Sequence, residues 1–303
     1  MRLGVHLPLA VLGIGVPTAD DLRDYVVAAR ELGFSTVAAN DHLVWSHPWL
    51  DGTTALASVP ESAGEMALAT SITLPVVRHP SVVAKTLTTL AVLARGPVVG
   101  GLGPGSSRRD YQAVGVPFEE RWSRFDEALP LVRSLVRGEP AESGRFYSGE
   151  YVVLPTPDPP PGIWFASWGS DRRLAAMAAV ADGWFASAYN ATPVQYAEAR
   201  ARLDDHLRGA GRAPQSFPDA VATTWLHVTE SREEAEHVLV DVLAPTLGRD
   251  PETLRHLPIG SAGHVAEALA AYAAAAADEV LVWPLRDPVR QLERCAAAFD
   301  QPK

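Results

Sequence analysis

Apolar segments of strand length alternate with amphipathic segments of helix length along nearly the whole chain. The apolar runs predict strands at 3–7, 34–39, 66–72, 163–167, 183–187, 221–228 and 279–283, with one more that begins at Val98. Apolar residues three and four positions apart predict helices at 18–32, 81–95, 118–136, 170–181, 193–209, 231–243, 262–276 and 288–299. Strands and helices in such alternation predict an α/β fold of the (β/α)8 TIM barrel type.

The 303 residues are expected to form one barrel domain, 1–303, because α/β barrels reach this length as a single unit. Two segments interrupt the alternation. A polar stretch around 139–160 predicts a hairpin insertion, and residues around 244–276 predict an additional loop and helix.

Charge and cysteine content narrow the classes of function. The chain has 26 Lys and Arg against 36 Asp and Glu, and the formal net charge of −10 argues against nonspecific nucleic-acid binding. No apolar run approaches the ~20 residues of a membrane span. The single cysteine, Cys295, cannot form an intramolecular disulfide, and the first residues enter a strand without a signal peptide. These features predict a cytoplasmic protein that binds a small molecule.

The stretch after the fourth strand predicts an anion-binding turn. Glycines without a Cβ let backbone N–H groups approach a ligand closely; here they are Gly100, Gly101, Gly103 and Gly105. Ser106 adds a hydroxyl, and an arginine pair follows at 108–109. The stretch lacks the Gly-Lys-Ser/Thr of a P-loop and the directly following helix of a dinucleotide fingerprint. A flexible turn without a ligand is the alternative.

A second turn of the same kind follows the strand at 163–167. It reads Trp168-Gly169-Ser170 and leads into another arginine pair, 172–173. Ser170 is a natural N-cap, and a helix N-terminus attracts anions through its free N–H groups and its dipole. The two turns together predict binding of two ends of one anionic cofactor.

Barrel enzymes carry their chemistry at the carboxyl ends of the strands. His42 stands there with an adjacent carboxylate, Asp41, and a histidine is the default general acid or base near neutral pH. The alternative is an Asp-His pair that only closes a turn. His6, at the end of the first strand, either acts in the site or is simply packed.

Three tryptophans lie at or after the ends of predicted strands: Trp45, Trp168 and Trp283. Tryptophans at such positions either line an apolar pocket or belong to the core, and both alternatives stay open. Trp122 lies at helical spacing and is assigned to the core. A metal hydrolase needs several convergent ligands, and only His6 stands at the first strand, so no metal site is predicted.

A family pattern runs through six segments: Asp41-His42, Ala69–Thr73, Arg78–Pro80, the turn at 101–105, Val114–Arg121 and Ala181–Trp184. Together they resemble the luciferase-like monooxygenase superfamily, the flavin- and deazaflavin-dependent (β/α)8 oxidoreductases. The resemblance covers nearly the whole chain and implies a bacterial luciferase-like barrel. It also implies a cis peptide bond between Ser71 and Ile72.

The resemblance implies reduced FMN or the deazaflavin coenzyme F420 across the barrel mouth. Its phosphate would be held by the turns Gly103–Ser106 and Trp168–Ser170. Further contacts with the cofactor would come from His6, Asp41 and Ser71.

His42 matches the position that many deazaflavin enzymes use as proton donor or acceptor, and Trp45 and Trp283 would face the substrate. Two departures concern the sugar-phosphate dehydrogenase branch. That branch has a glutamate where this chain has Ser106, and its tryptophan lies one residue beyond the position of Trp45. Glucose 6-phosphate is therefore not the expected substrate.

Members of the superfamily commonly dimerise through the second and third helices. The helix at 81–95 has Lys85 as its only charge before Arg95, so its outer face is weakly polar. This composition predicts a homodimer interface.

The leading functional hypothesis is an F420-dependent oxidoreductase that transfers hydride between the reduced deazaflavin and a small organic substrate, with His42 handling the proton. The first alternative is an FMN-dependent monooxygenase that uses reduced flavin and O2. A further alternative, from another class, is a barrel that holds a flavin without catalysis.

Overall fold

The computed structural model describes residues 1–10, 15–141, 144–149 and 155–299. A closed barrel of parallel strands lies at its centre, with each strand hydrogen-bonded to the next and the last to the first. The barrel strands are β1 (Arg2–His6), β2 (Thr36–Ala39), β3 (Ala67–Thr73), β4 (Val98–Leu102), β5 (Gly162–Ala166), β6 (Gly183–Ser187), β7 (Asp219–Val228) and β8 (Glu279–Pro284). The closure confirms the TIM barrel prediction.

Helices follow the strands as the sequence periodicity predicts. The main ones are α1 (Ala19–Glu31), α2 (Pro80–Leu93), α3 (Arg121–Val136), α4 (Asp171–Val180), α5 (Pro193–Gly209), α6 (Arg232–Glu236), α7 (Ala262–Ala274) and α8 (Pro288–Phe299). Shorter helices lie at Gly52–Ala57, Pro60–Ala63, Pro75–Arg78, Arg108–Ala113 and Ala244–Leu247. The helix predicted at 231–243 is α-helical only in α6 and continues as a π-helix, His237–Leu243.

The two predicted interruptions have different outcomes. The hairpin predicted around 139–160 includes 142–143 and 150–154, which lie outside the described residues. The segment at 244–276 contains a short helix, the 3-10 turn Pro251–Leu254, a two-residue strand and α7. That strand, Ile259–Gly260, pairs with the end of β7 outside the barrel closure.

The barrel interior is filled by a few large side chains set against very small ones. A Cβ on Gly101 would lie 2.6 Å from the Phe185 ring, and one on Gly183 would lie 2.5 Å from the Trp164 ring. A Cβ on Gly100 would lie 2.5 Å from Leu87. The prediction that Gly100 and Gly101 expose backbone to a ligand is therefore wrong, because both lie within β4 and make room for packing.

The outer layer keeps two features that the sequence predicts. Thr18 and Asp21 form a reciprocal capping box at the start of α1. On α2, Val82, Val92 and Leu93 are exposed by more than half. In the described part of the chain, no helix is both long enough and apolar enough to cross a membrane.

Candidate active site

A cavity of about 580 Å³ opens at the carboxyl ends of the barrel strands. Its walls come from the carboxyl ends of β2 to β6 and the segments that follow them, and from Ala222 and Thr223 within β7. Small and polar residues line it together with aromatic rings, among them Phe118, Trp122, Trp168, Phe185 and Tyr189. A cavity of this size accommodates a tricyclic cofactor or a drug-sized ligand.

His42 lies on the cavity wall and is paired with a buried carboxylate. Its Nδ1 is 2.9 Å from Oδ2 of Asp110, whose side chain is only 1% exposed. The other oxygen, Oδ1, accepts hydrogen bonds from the backbone N–H groups of Leu43 and Val44 at 2.9 and 2.8 Å. Because a carboxylate only accepts, Nδ1 carries the hydrogen and Nε2 is left free to exchange a proton.

Asp41, the neighbour of His42 in the sequence, does not pair with it and is engaged elsewhere. Its carboxylate accepts two hydrogen bonds from Arg78, both at 2.6 Å, and one from the Thr73 hydroxyl at 2.8 Å. Arg78 also bonds Asp51. Burial raises the pKa of Asp51, but hydrogen bonds from Thr54 and Arg78 outweigh burial and lower the pKa to about 2. The network anchors both ends of the segment that carries His42.

The glycine turn after β4 lines the cavity through Pro104, Gly105 and Ser106. Gly105 adopts φ 74°, a conformation that side chains with a Cβ rarely take. Gly103 does not line the cavity; a Cβ there would lie 2.5 Å from Ile72, so its small size is required by packing.

The turn after β5 forms the facing wall with Ser167, Trp168, Gly169 and Ser170. Ser170 is the N-cap residue of α4, as the sequence predicts, but its hydroxyl makes no capping hydrogen bond. Trp168 is 62% exposed at the rim. The hydroxyl of Ser170 and the first N–H groups of α4 are therefore placed beside the cavity.

Two arginines line the cavity, and only one of them, Arg173, belongs to the two arginine pairs that the sequence suggests. Arg108, Arg109 and Arg172 lie on the surface and do not line it. Arg173 does, stacked 3.8 Å above Trp122 and paired with Asp126 at 2.5 Å. Arg121 does as well.

Arg121 is held by an aromatic ring and a carbonyl group. Its guanidinium lies 4.0 Å from the centroid of Phe118 and donates to the carbonyl oxygen of Phe118 at 3.1 Å. No carboxylate of the described residues lies within ion-pair distance of it. Its positive charge is therefore available to an anionic ligand.

The third strand contributes the residues at the base of the cavity. The peptide bond between Ser71 and Ile72 is cis, as predicted. The Ser71 hydroxyl lies 3.5 Å from Nε2 of His6, which also accepts the N–H of Thr223 at 3.2 Å. Burial lowers the pKa of His6 to about 3, so the ring is neutral at physiological pH.

A family model described as luciferase-like monooxygenase matches residues 1–256. The chain belongs to this family. Its membership confirms the resemblance drawn from the sequence motifs.

Two relatives in the luciferase-like family illustrate the extent of similarity. The F420-dependent glucose-6-phosphate dehydrogenase of Beutenbergia cavernae is 36% identical over 181 residues, covering 54% of this chain and 51% of that protein. The F420-dependent hydroxymycolic acid dehydrogenase of Mycobacterium tuberculosis is 32% identical over 210 residues, covering 65% of this chain and 56% of that protein. The chain thus spans little more than half the length of these relatives.

Solved structures share the fold over nearly the whole chain. The monooxygenase RslO1 of Streptomyces bottropensis matches with a TM-score of 0.80 at 20% identity, covering 99% of this chain and 98% of its own. An F420-dependent secondary alcohol dehydrogenase, in complex with an F420-acetone adduct, matches with a TM-score of 0.81 at 16% identity, covering 99% of both chains. At these identities the likeness shows the fold alone.

The structure brings most of the predicted luciferase-like site residues to the cavity. Those that line it are Asp41, His42, Ser71, Gly105, Ser106, Trp168, Gly169 and Ser170. The other four, His6, Trp45, Gly103 and Trp283, do not line the cavity, and their direct contact with a ligand stays a prediction. Trp45 packs on the His42 ring at 4.3 Å, and Trp283 stacks on His6 at 4.4 Å.

Sequence reasoning missed three residues that the site uses: Asp110, Arg121 and Trp122. Trp122 was expected in the core and instead lines the cavity beneath Arg173. Asp110 lies shortly after the glycine turn, and this position was the one signal in the sequence that could have indicated a role in the site. Nothing in the sequence links it to His42.

Proposed function

We propose that this protein is an F420-dependent oxidoreductase that transfers hydride between the deazaflavin and a small organic substrate. The observation that carries the proposal is one cavity with a histidine–carboxylate pair on one wall and anion-binding groups on the other. The F420-dependent dehydrogenases among its relatives support it. When bound, F420 gives or takes the hydride through its deazaflavin ring.

The residues of the cavity fit a phosphate-bearing cofactor. Arg121 brings a positive charge without a carboxylate partner in the described chain, and the Ser170 hydroxyl is not used for capping. The N-terminus of α4 adds free N–H groups and the favourable end of the helix dipole. Gly105 and Gly169 keep backbone groups accessible, so a phosphate can be held between the two turns.

His42 is the group we assign to proton transfer. Asp110 fixes the ring with the hydrogen on Nδ1, so Nε2 accepts a proton in one direction of the reaction and donates it in the other. The same carboxylate stabilises the imidazolium that forms while the proton is held. With 17% of its side chain exposed, His42 remains accessible from the cavity.

Calorimetric titration of the protein with F420 and, separately, FMN tests the proposal. We expect F420 to bind and Arg121→Gln to weaken binding by roughly tenfold or more, the loss of one charge-assisted hydrogen bond. The matched control is Arg208→Gln, an exposed arginine that pairs with Asp205 on α5 and should leave binding unchanged.

The same titration separates the other functions. Binding of FMN alone would favour an FMN-dependent monooxygenase and make O2 uptake the next assay. Binding of F420 without any F420-dependent turnover would favour a carrier. Binding of neither cofactor would overturn the proposal.

We also propose that the protein acts as a homodimer that pairs through α2. The support is the exposed apolar side chains of Val82, Val92 and Leu93 on one helix.

A further inference from the structure

Four buried ring N–H groups lie together beside the cavity without a hydrogen-bond acceptor. The described structure gives no partner to Nδ1 of His6 or to Nε1 of Trp49, Trp225 and Trp283. Trp283 is the centre of the group, with His6 at 4.4 Å, Trp225 at 4.3 Å and Trp49 at 5.5 Å between ring centroids. An isolated orphan donor is rare in a folded protein, and four in one cluster call for an acceptor.

Each of these nitrogens is a donor. An indole Nε1 only donates. For His6, Nε2 accepts the N–H of Thr223, so the hydrogen of the neutral ring is on Nδ1. Because His6 is neutral, the cluster offers hydrogen-bond donors without a positive charge.

The cluster continues to the proton-transfer residue of the proposed reaction. The Trp49 ring lies 5.4 Å from the ring of His42, and Trp45 packs against both. No arginine of the described residues stacks on these rings; the arginine–aromatic contacts involve other rings, such as those of Phe118 and Trp122. The group therefore differs from the cationic side of the cavity.

We propose that this cluster, His6 with Trp49, Trp225 and Trp283, is the substrate subsite and that it binds the oxygen of a neutral, planar carbonyl compound. The rings stack on one another and leave their edges, with the N–H groups, for a ligand, and these apolar surroundings suit a conjugated or aromatic body. Ring N–H donors suit a carbonyl oxygen, whereas a phosphate or carboxylate would require cations that the cluster lacks. The inference rests on the proposed oxidoreductase function and names its substrate class.

The way into the subsite is the segment 45–49. Hydrogen bonds hold the residues on either side of it. Leu43 and Val44 donate their N–H groups to Asp110, and Leu50 donates its N–H to the carbonyl oxygen of Leu9. Between them, the described structure shows no hydrogen bond from residues 45–49 to the rest of the protein. Ring contacts and apolar packing hold Trp49 over Trp283, so an outward shift of this segment would uncover Trp283.

Calorimetric titration with cyclohexenone and with acetophenone, without cofactor, tests the subsite. The proteins compared are the wild type and the Trp49→Phe and Trp225→Phe variants. Each substitution removes one N–H and keeps an aromatic ring, so we expect roughly three- to tenfold weaker binding. Thermal unfolding provides the second readout. Removing an orphan donor should leave the melting temperature unchanged or raise it.

Trp184→Phe is the matched control for stability, since its Nε1 donates to the carbonyl oxygen of Ser167 at 3.1 Å. Loss of that satisfied bond should lower the melting temperature.

Several results would overturn the subsite. They are carbonyl binding that is unchanged in both variants, a fall in their melting temperature to match Trp184→Phe, or glucose 6-phosphate binding as tightly as the ketones. F420 titrations of the same variants keep the two proposals apart. Normal F420 binding with unchanged ketone binding would reject only the subsite. Absent F420 binding would reject the proposed function and, with it, the substrate role of the cluster, even if the ketones bind.

Discussion

The chemistry of His42 depends on a residue 68 positions away in the sequence. Asp110 accepts from the imidazole and from two backbone N–H groups, so it fixes both the ring and the loop on which the ring sits. The neighbouring Asp41 faces Arg78 instead. Of these two adjacent residues, Asp41 thus belongs to a structural network and His42 to a reactive pair.

Asp110→Asn should reduce turnover by about 10²-fold or more while sparing cofactor binding. The amide can donate to Nδ1 and favour the wrong tautomer, which places the hydrogen on Nε2. Steady-state kinetics and calorimetry with F420 measure the two effects. The control is Asp241→Asn, in the exposed His237–Asp241 pair, which should leave both unchanged.

His6 makes the stability of the fold sensitive to acid. Burial lowers its pKa to about 3 from 6.5, so below pH 6.5 the unfolded chain binds a proton that the folded chain does not. The unfolded state binds more protons between those two values, and the free energy of unfolding therefore falls as the pH drops through this window.

The slope from one such histidine is about 1.4 kcal/mol per pH unit. Between pH 7 and pH 5, the free energy of unfolding of the wild type should fall by about 2 kcal/mol more than that of His6→Gln. Urea denaturation at both pH values measures the difference. Equal losses in the two proteins would show that His6 is not the group responsible.

At the scale of elements, Arg78 joins the loop after β2, the end of β3 and the start of the helix Gly52–Ala57. It binds Asp41 in the loop after β2, and it binds Asp51. Asp51 caps the helix Gly52–Ala57 by accepting the backbone N–H of Thr54. Asp41 in turn accepts the hydroxyl of Thr73 at the end of β3. One guanidinium therefore fixes the relative positions of elements that shape the cavity.

Arg78→Ala should destabilise the protein by about 3–5 kcal/mol, because it leaves the buried carboxylate of Asp41 without its cation. Adding Asp41→Asn should restore part of the loss, since the neutral amide carries no uncompensated charge. Urea denaturation of the single and double variants measures the difference. A double variant no more stable than Arg78→Ala would contradict this account.

At the scale of the whole molecule, the outer face of α2 exposes apolar side chains. Val82, Val92 and Leu93 of α2 are 53%, 57% and 53% exposed. Exposed apolar side chains that are grouped on one surface mark an interaction site, whereas scattered single ones do not. A second copy of the chain is the partner we propose.

Val92→Glu together with Leu93→Glu should shift the protein from dimer to monomer, because a charge at the centre of an apolar interface is costly to desolvate. Sedimentation equilibrium measures the change. Val194→Glu, at a valine on α5 that is 68% exposed, is the control and should leave the mass unchanged. A wild type that sediments as a monomer would reject the dimer.

The sequence alone determined the architecture, since strand and helix periodicities are local and repeat around the barrel. It also indicated the family, the cis bond at Ser71–Ile72 and the two turns at the mouth of the cavity. Only the tertiary structure decided which carboxylate faces His42, which arginines reach the cavity and which N–H groups lack acceptors. These depend on side chains brought together from distant strands, and no local pattern encodes that proximity. This dependence on tertiary structure is clearest for three residues, Asp110, Arg121 and Trp225, because each gains its role from a neighbour in space.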